Sequence, residues 1–355
     1  MSRNLYVFGS NGEGQLGIPA AEIVSTSTQV SNPPPLEGLK LIRCGDNHTL
    51  FFTKEGVVHG VGDNRKHQLH SQLEDKPRLE QFEILQSGIS FLAATCESSA
   101  YVFSDINSAH SYIRTEGSGP WGELGRGHGV LNTMMMQCDR PSVLDPLPSA
   151  VIDFAAGVWH YVAVLEDGSV YGWGKARLGQ LGDKLTGKVM VPSKLAGIPF
   201  KPMKVKCGKD FTYLVGNPAT GEHILLGKDK FNIDSGKPQD VKGWKDIGTT
   251  WHAIFVLFDD GKLIAWGKEN MWQLIPKDLP PIDEIAVGSD HVLAVTKEGK
   301  LISWGWGKHG NCGDLSKIDQ EVENDMVSGF WNNIDLPGKI ETIGAGFCTS
   351  FVVTN

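Results

Sequence analysis

Four histidines, His48, His160, His252 and His291, stand at corresponding points of a recurring motif, and four imidazoles in register are the residue type that binds a metal or moves a proton. Neither chemistry follows here. Nucleophilic or acid–base catalysis needs a hydroxyl, thiol or carboxylate beside the imidazole, and none accompanies these four in such an order. A repeat places equivalent side chains on separate units, so each ring nitrogen is expected to satisfy a backbone group beside its own turn. The six cysteines, Cys44, Cys96, Cys138, Cys207, Cys312 and Cys348, include no pair at the close spacing that a zinc site uses. Several lie in apolar strand motifs, where a free thiol behaves as a small hydrophobe in a reducing compartment. Gly12-Glu13-Gly14-Gln15-Leu16-Gly17 formally matches the dinucleotide-binding fingerprint. Prolines at Pro19 and Pro33 to Pro35 replace the helix that the fingerprint must open, and Gln-Leu-Gly recurs elsewhere as a loop element. No Gly-Lys pair is followed by the Ser or Thr of a phosphate loop. The expectation is no catalytic residue, no cofactor and no metal ligand.

The elements that carry these residues repeat seven times. An apolar strand runs into a small anchor, two variable residues, a column residue and a second apolar strand. The anchors are Gly45, Thr95, Gly157, Gly208, Thr249, Gly288 and Gly346, and the column is filled by His48, Ser98, His160, Phe211, His252, His291 and Thr349. After each such half comes a turn, such as Glu55-Gly56, Asp167-Gly168, Asp260-Gly261 or Glu298-Gly299, of the kind that closes tight hairpins. A strand ending in Trp-Gly or its equivalent follows, and then a Gly-Gln-Leu-Gly loop, as in 170–182. Each unit is therefore about four strands, and the fold class is all-β, a seven-bladed β-propeller of four-stranded blades. The chain opens on an outer half, NLYVFGSNGEGQLG, and closes on an inner half, KIETIGAGFCTSFVV, so N-terminal outer strands are expected to pair with C-terminal inner strands and close the ring. A repeat that fills the chain argues for one propeller over 1–355. Hydrophobic content of 40%, with 43 Gly and 18 Pro, suits short strands joined by many turns.

The small-x-x-His turn, the Asp-Gly hairpin and Trp-Gly followed by Gly-Gln-Leu-Gly resemble the propeller of the regulator of chromosome condensation family across the whole chain. Within it, the string Trp304-Gly305-Trp306-Gly307 with His309-Gly310-Asn311-Cys312-Gly313, the KCGKDFTYLV turn and the lack of a basic tail resemble the fungal alpha-tubulin suppressor branch. That resemblance implies a non-enzymatic partner protein. It would pair with the small, acidic CSL-type zinc-binding protein of diphthamide synthesis and indirectly serve Elongator, in cytoplasm and nucleus. The broader family resemblance implies the alternative, guanine nucleotide exchange on a Ran-type GTPase, with Asp46, Asp210 and Asp290 as the matching acidic positions.

In a propeller the seven variable pairs gather on one face around the central channel. Asp46, Asn47, Glu97, Trp159, Lys209, Asp210, Trp251, Asp290 and Phe347, with Trp306 and His309 nearby, form the expected partner-binding face. Formal net charge of −8 argues against strong direct nucleic-acid binding, and no apolar run is long enough for a membrane span. The chain enters a strand almost at once, so a soluble intracellular protein is expected. One blade departs from the acidic average, with Lys201, Lys204, Lys206, Lys209, Lys228 and Lys230 close together in sequence. Residues 314–338, with Asp319, Glu321, Glu323 and Asp325, read as a long acidic insertion anchored by Trp331, and 127–141 as a second insertion.

Overall fold

In a computed structural model, which describes residues 3–70, 76–104, 110–133 and 144–355, seven antiparallel sheets form seven blades. The first blade is the closure, ordered from the channel outward as Ile340–Ala345, Thr349–Thr354, Asn4–Asn11 and Ala21–Gln29. Leu5 faces Val353 and Gly9 faces Thr349, so the two ends of the chain share one sheet as the sequence implies. The second blade is Leu39–Cys44, His48–Thr53, Val58–Asp63 and Arg78–Gln86, and the third Phe91–Ala94, Ser98–Ser104 and Ser111–Gly117. The fourth is Val151–Ala156, His160–Leu165, Val170–Lys175 and Lys188–Lys194, and the fifth Lys204–Cys207, Phe211–Val215 and His223–Gly227. The sixth is Trp244–Thr249, Ala253–Phe258 and Leu263–Gly267, and the seventh Ile282–Val287, His291–Thr296, Leu301–Trp306 and Met326–Ile334.

Second strands such as HTLFFT, HYVAVL and HVLAVT are buried along their whole length. Each lies between flanking strands with a neighbouring blade on either side, which is why they read as unbroken apolar runs rather than alternating ones. Aromatic rings fill the wedges between blades, with Phe154, Tyr161 and Trp173 stacked at 5.4–5.9 Å. The buried indoles also stitch blades together: Trp173, Trp266 and Trp304 donate to the carbonyls of Glu123, Ile233 and Leu274 in the preceding units.

The structure corrects three expectations. Four blades have four strands, but the third, fifth and sixth have three among the described residues. In the fifth and sixth the connections to the next blade are short and carry Pro238, or Pro276, Pro280 and Pro281, which lack the donor an outer strand needs. The acidic 314–338 segment is not simply a loop, because its second half, Met326–Ile334, is the outer strand of the seventh blade, with Trp331 packed against that blade's core. The acidic residues before it are exposed. Cys138 and most of the second insertion, 134–141, lie outside the described residues.

The third correction is one of register. In six blades the anchor N–H donates to the carbonyl of the column residue, as from Gly45 to His48 and Gly288 to His291, both at 2.9 Å. In the sixth blade the same bond runs from Thr250 to Ala253. The anchor there is Thr250 rather than Thr249, and the column residue is Ala253 rather than His252. Steric pairing explains the shift. A Cβ on Gly45, Gly157 or Gly288 would lie within 2.4 Å of the ring of His48, His160 or His291. An anchor side chain fits only where the column residue is small, as in Thr95 with Ser98 and Thr250 with Ala253.

Candidate partner-docking face

The three column histidines are structural. Nε2 of His48, His160 and His291 lies 3.0, 3.1 and 3.0 Å from the hydroxyls of Ser99, Thr212 and Ser350 in the next blade. Thr212 and Ser350 already donate to the carbonyls of Gln180 and Asn311, so their oxygens accept from an imidazole N–H. The partner is thus a neighbouring blade's hydroxyl, not the local backbone group that the sequence suggests. Each Nδ1 is buried without a partner. Burial holds His48 and His160 down to about 4 and His291 to about 3, so all three rings are neutral at pH 7. Among the described residues no three His, Cys, Asp or Glu side chains group as metal ligands, and no helix is long and apolar enough to cross a membrane.

The variable pairs do converge on the channel mouth. The N–H of the first variable residue donates to its counterpart one blade on: Asp46 to Cys96, Cys96 to Val158, Lys209 to Trp251, Trp251 to Ser289 and Ser289 to Phe347, at 2.9–3.3 Å. This ladder fixes Trp251 between Lys209 and Ser289 and makes it the counterpart of Val158 in the fourth blade. Trp159 and Trp251 are therefore not equivalent positions. Trp159 is half-buried, its carbonyl accepting from Lys175 N–H at 2.8 Å.

Side chains divide the face into two sectors. On the second and third blades Asp46 is exposed at the mouth, and partial desolvation of its carboxyl by the surrounding turns, together with the nearby Glu97 and Asp63 carboxylates, raises its pKa. Asn47 links Asp46 at 3.1 Å to Gln15 at 3.2 Å. On the fifth and sixth blades, Lys209 Nζ sits 4.8 Å above the Trp251 ring, and Phe347 meets that ring edge-on at 5.5 Å. Trp251 Nε1 is buried and has no hydrogen-bond partner. Asp210 lies between Lys175 at 3.2 Å and Lys230 at 3.8 Å. Burial lifts Asp290 to about 6 despite Lys268 and Lys209. Trp306 N–H donates to the Asp290 carbonyl at 2.7 Å, and its ring meets His309 edge-on at 5.2 Å, which brings this pair to the same mouth.

The sequence reading missed three groups here. His252, displaced from the column by the register shift, lies on the face, held to about 4 by burial and then by Lys268 and Lys209. Phe231 stands 41% exposed beside it, with ring centroids 5.3 Å apart. Trp121, in a segment that looks like a decayed Gly-Gln-Leu-Gly loop, is surrounded by Lys188, Lys175 and Arg177 at 5.2, 5.5 and 5.5 Å. The spacing of Arg177 and Lys188 along one repeat was the available signal for the last group.

With the blades and their face defined, comparison with known proteins is decisive for the fold. The family described as regulator of chromosome condensation (RCC1) repeat matches residues 4–52 and 167–215, and a second pattern of the same description matches 40–68, 151–180 and 282–311. This propeller carries RCC1 repeats. An RCC1 repeat-containing protein of Schizosaccharomyces pombe is 28% identical over 98% of both chains. The secretion-regulating guanine nucleotide exchange factor of Bos taurus is 26% identical over 89% of this chain and 76% of its own length. Human WBSCR16 superposes with a TM-score of 0.77 at 16% identity, covering 100% of this chain and 99% of its own. Prp20p of Saccharomyces cerevisiae, whose binding to Gsp1p and histones was studied with its structure, superposes with a TM-score of 0.76 at 19% identity over 99% and 91%. At those identities the two structures share the fold alone. Some RCC1-like proteins are exchange factors or regulators, and this propeller carries its repeats in that company.

Proposed function

We propose that this RCC1-repeat propeller is a non-enzymatic partner protein that docks a second protein on its channel-mouth face. The observation that carries the reading is Trp251, an aromatic side chain at the mouth with a buried, unpartnered N–H, flanked by Lys209 and Phe347. Buried donors are almost always paired, and a turn of the Trp251 ring on docking would bring this one to a carbonyl or carboxylate of the docked protein. The resemblance of residues 301–314 to the alpha-tubulin suppressor branch supplies the partner: the small acidic CSL-type zinc-binding protein of diphthamide synthesis. The heterodimer then supports diphthamide formation on elongation factor two and Elongator-dependent wobble-uridine modification of tRNA, in cytoplasm and nucleus. Membranes and strong direct nucleic-acid binding play no part in this reading.

Calorimetric titration with that zinc protein tests it. Saturable one-to-one binding should weaken by ~2 kcal/mol, about 30-fold in Kd, in Trp251→Ala. Trp251→Phe keeps a ring and loses only the donor, and should weaken binding by a smaller factor. Unchanged affinity in both moves the site elsewhere.

One observation favours a second reading, exchange on a Ran-type GTPase: the 26% identity to a guanine nucleotide exchange factor along most of the chain. Two of the three carboxylates that it would use are compromised, since Asp210 is held by two lysines and Asp290 is poised to protonate near pH 6. Accelerated nucleotide release with no binding to the zinc protein would establish it instead.

A further inference from the structure

Phe231 is held at φ 60° and Asn232 at φ 56°, left-handed conformations that side-chain-bearing residues rarely adopt. The consequence of this costly turn is a phenyl ring projecting 41% exposed at the edge of the docking face. Beneath it, where the fourth, fifth and sixth blades meet, a narrow cleft is lined by Leu178, Phe211, Ile233 and His252, together with Asp210, Lys228 and Lys230. Lys268 Nζ lies 5.5 Å from the Phe231 ring centroid. Next around the arc, Lys175, Arg177 and Lys188 all converge on Trp121. Among the described residues Arg177, Lys188, Lys228 and Lys268 have no carboxylate within ion-pair distance. Two of the acids nearby are already engaged, and Asp290, beside Lys268, is partly buried with its pKa lifted to about 6. Asp210 takes Lys175 and Lys230, and Asp229 accepts the N–H groups of Asp234 and Ser235 at 2.8 and 3.2 Å.

Like charges converging on one face of a chain with net charge −8 repel one another until an anion joins them. Given that this face docks a partner, which is the reading on which the inference rests, we infer that the arc from Trp121 to Phe231 binds an extended acidic protein segment. Carboxylates of the segment pair with Arg177, Lys188, Lys228 and Lys268, and one of its apolar side chains packs on Phe231. A single-stranded nucleic acid fits less well. Base stacking needs an open aromatic face, and both Phe231 and Trp121 already carry cations over their rings. The protein's overall negative field also repels a long polyanion.

The probe is a fluorescein-labelled dodecapeptide of Glu with Leu at every third position, measured by anisotropy on the full chain. A Gln-for-Glu counterpart and a twelve-nucleotide oligouridylate serve as competitors. Saturable binding is expected that the Gln peptide does not compete and that a Lys228→Glu/Lys268→Glu variant abolishes. Phe231→Gly removes the ring while supplying the residue best suited to φ 60°, so it should raise the melting temperature and weaken the peptide at least tenfold. Binding that survives Phe231→Gly, or oligouridylate outcompeting the peptide, overturns the inference. Titrating Phe231→Gly with the zinc protein separates the two readings. Lost peptide binding with retained zinc-protein binding leaves the dimer proposal standing, whereas failure of the wild type to bind the zinc protein removes that partner without touching the peptide result.

Discussion

Glu123 stands where the corresponding loops of the first, second and fourth blades carry Gln15, Gln68 and Gln180, and replacing it tests how these four loops are built. In each, a side-chain oxygen closes the loop by accepting the N–H two residues earlier: Gln15 from Glu13 at 3.0 Å, Gln68 from Lys66 at 2.9 Å, Gln180 from Leu178 at 2.8 Å and Glu123 from Trp121 at 2.8 Å. Glu123 is fully buried and its second oxygen has no partner. Burial pushes the carboxyl up to about 7. The unfolded chain ionises near 4.5, so at high pH folding must hold an anion in a site that prefers the acid. A rise of about 2.5 pKa units at about 1.36 kcal/mol each sets a ceiling of ~3 kcal/mol on that penalty. Glu123→Gln keeps the accepting oxygen and removes the charge. The amide that it introduces is no worse placed than that of Gln180, whose nitrogen is also unpartnered. Because the acid's folded pKa is raised, the wild type loses stability as pH rises from about 4.5 through about 7. The stability gained by the variant should therefore be near zero at pH 4.5, grow between the two values and level off at ~1–3 kcal/mol by pH 8. Urea denaturation of both proteins at pH 4.5, 6 and 8 reads this directly. A difference independent of pH, or none at pH 8, refutes the account of the loop.

Other consequences follow from the column and the closure. Gly288→Ala should destabilise by ~2 kcal/mol or more through contact with the His291 ring, and His291→Ala by ~2–4 kcal/mol through a cavity and a lost bond to Ser350. Gly288→Thr with His291→Ala recreates the Thr250–Ala253 pairing, so a thermal-denaturation double-mutant cycle should show the double variant at least ~1 kcal/mol better than the sum of its parts. His48, His160 and His291 have folded pKa values below the unfolded 6.5, so their contribution is complete above pH 6.5 and falls away toward pH 4. Glu123 opposes this over part of the range, and the midpoint of Glu123→Gln should fall more steeply than wild type on acidification from pH 6.5 to 4.5. Deleting 341–355 removes the strand that pairs with Asn4–Asn11, and should abolish cooperative melting and expose edges that aggregate on gel filtration.

The architecture was legible because its signals are local and repeated: anchor, column, Asp-Gly turn and Trp-Gly each recur with a steric reason. What the repeat hid was a slip of one residue. In TTWHA, two threonines offered two anchors, and the His of the column pattern favoured the wrong one; only the Thr250-to-Ala253 hydrogen bond separates them. Blade strand number was hidden for a different reason, since an outer strand depends on the length and proline content of a connection rather than on its motif. The channel-mouth face was legible as a set of turns but not as contacts. Nothing in the spacing of Lys209, Trp251 and Phe347 says that they meet, because those neighbours come from three different blades. The left-handed turn at Phe231 had almost no sequence signal, since only Asn232 is of a type that enters that region readily and Phe is not.

Where the blades agree and where they differ also bears on the proposed docking face. The agreed residues are spent on the ring: His160 reaches Thr212, Trp173 reaches Glu123, Gln180 closes its own loop, and each is buried. A side chain already committed to a neighbouring blade is unavailable to a partner. Among the described residues, those with free capacity are singular: one tryptophan with an orphaned N–H, one phenylalanine on a left-handed turn, and a run of unpaired cations across the fourth to sixth blades. Rotating the propeller by one blade leaves its core almost unchanged but moves every one of these features. A partner that recognises this molecule must therefore read a single angular position on the ring, and variants at repeated positions should change melting while those at Trp251 and Phe231 change binding.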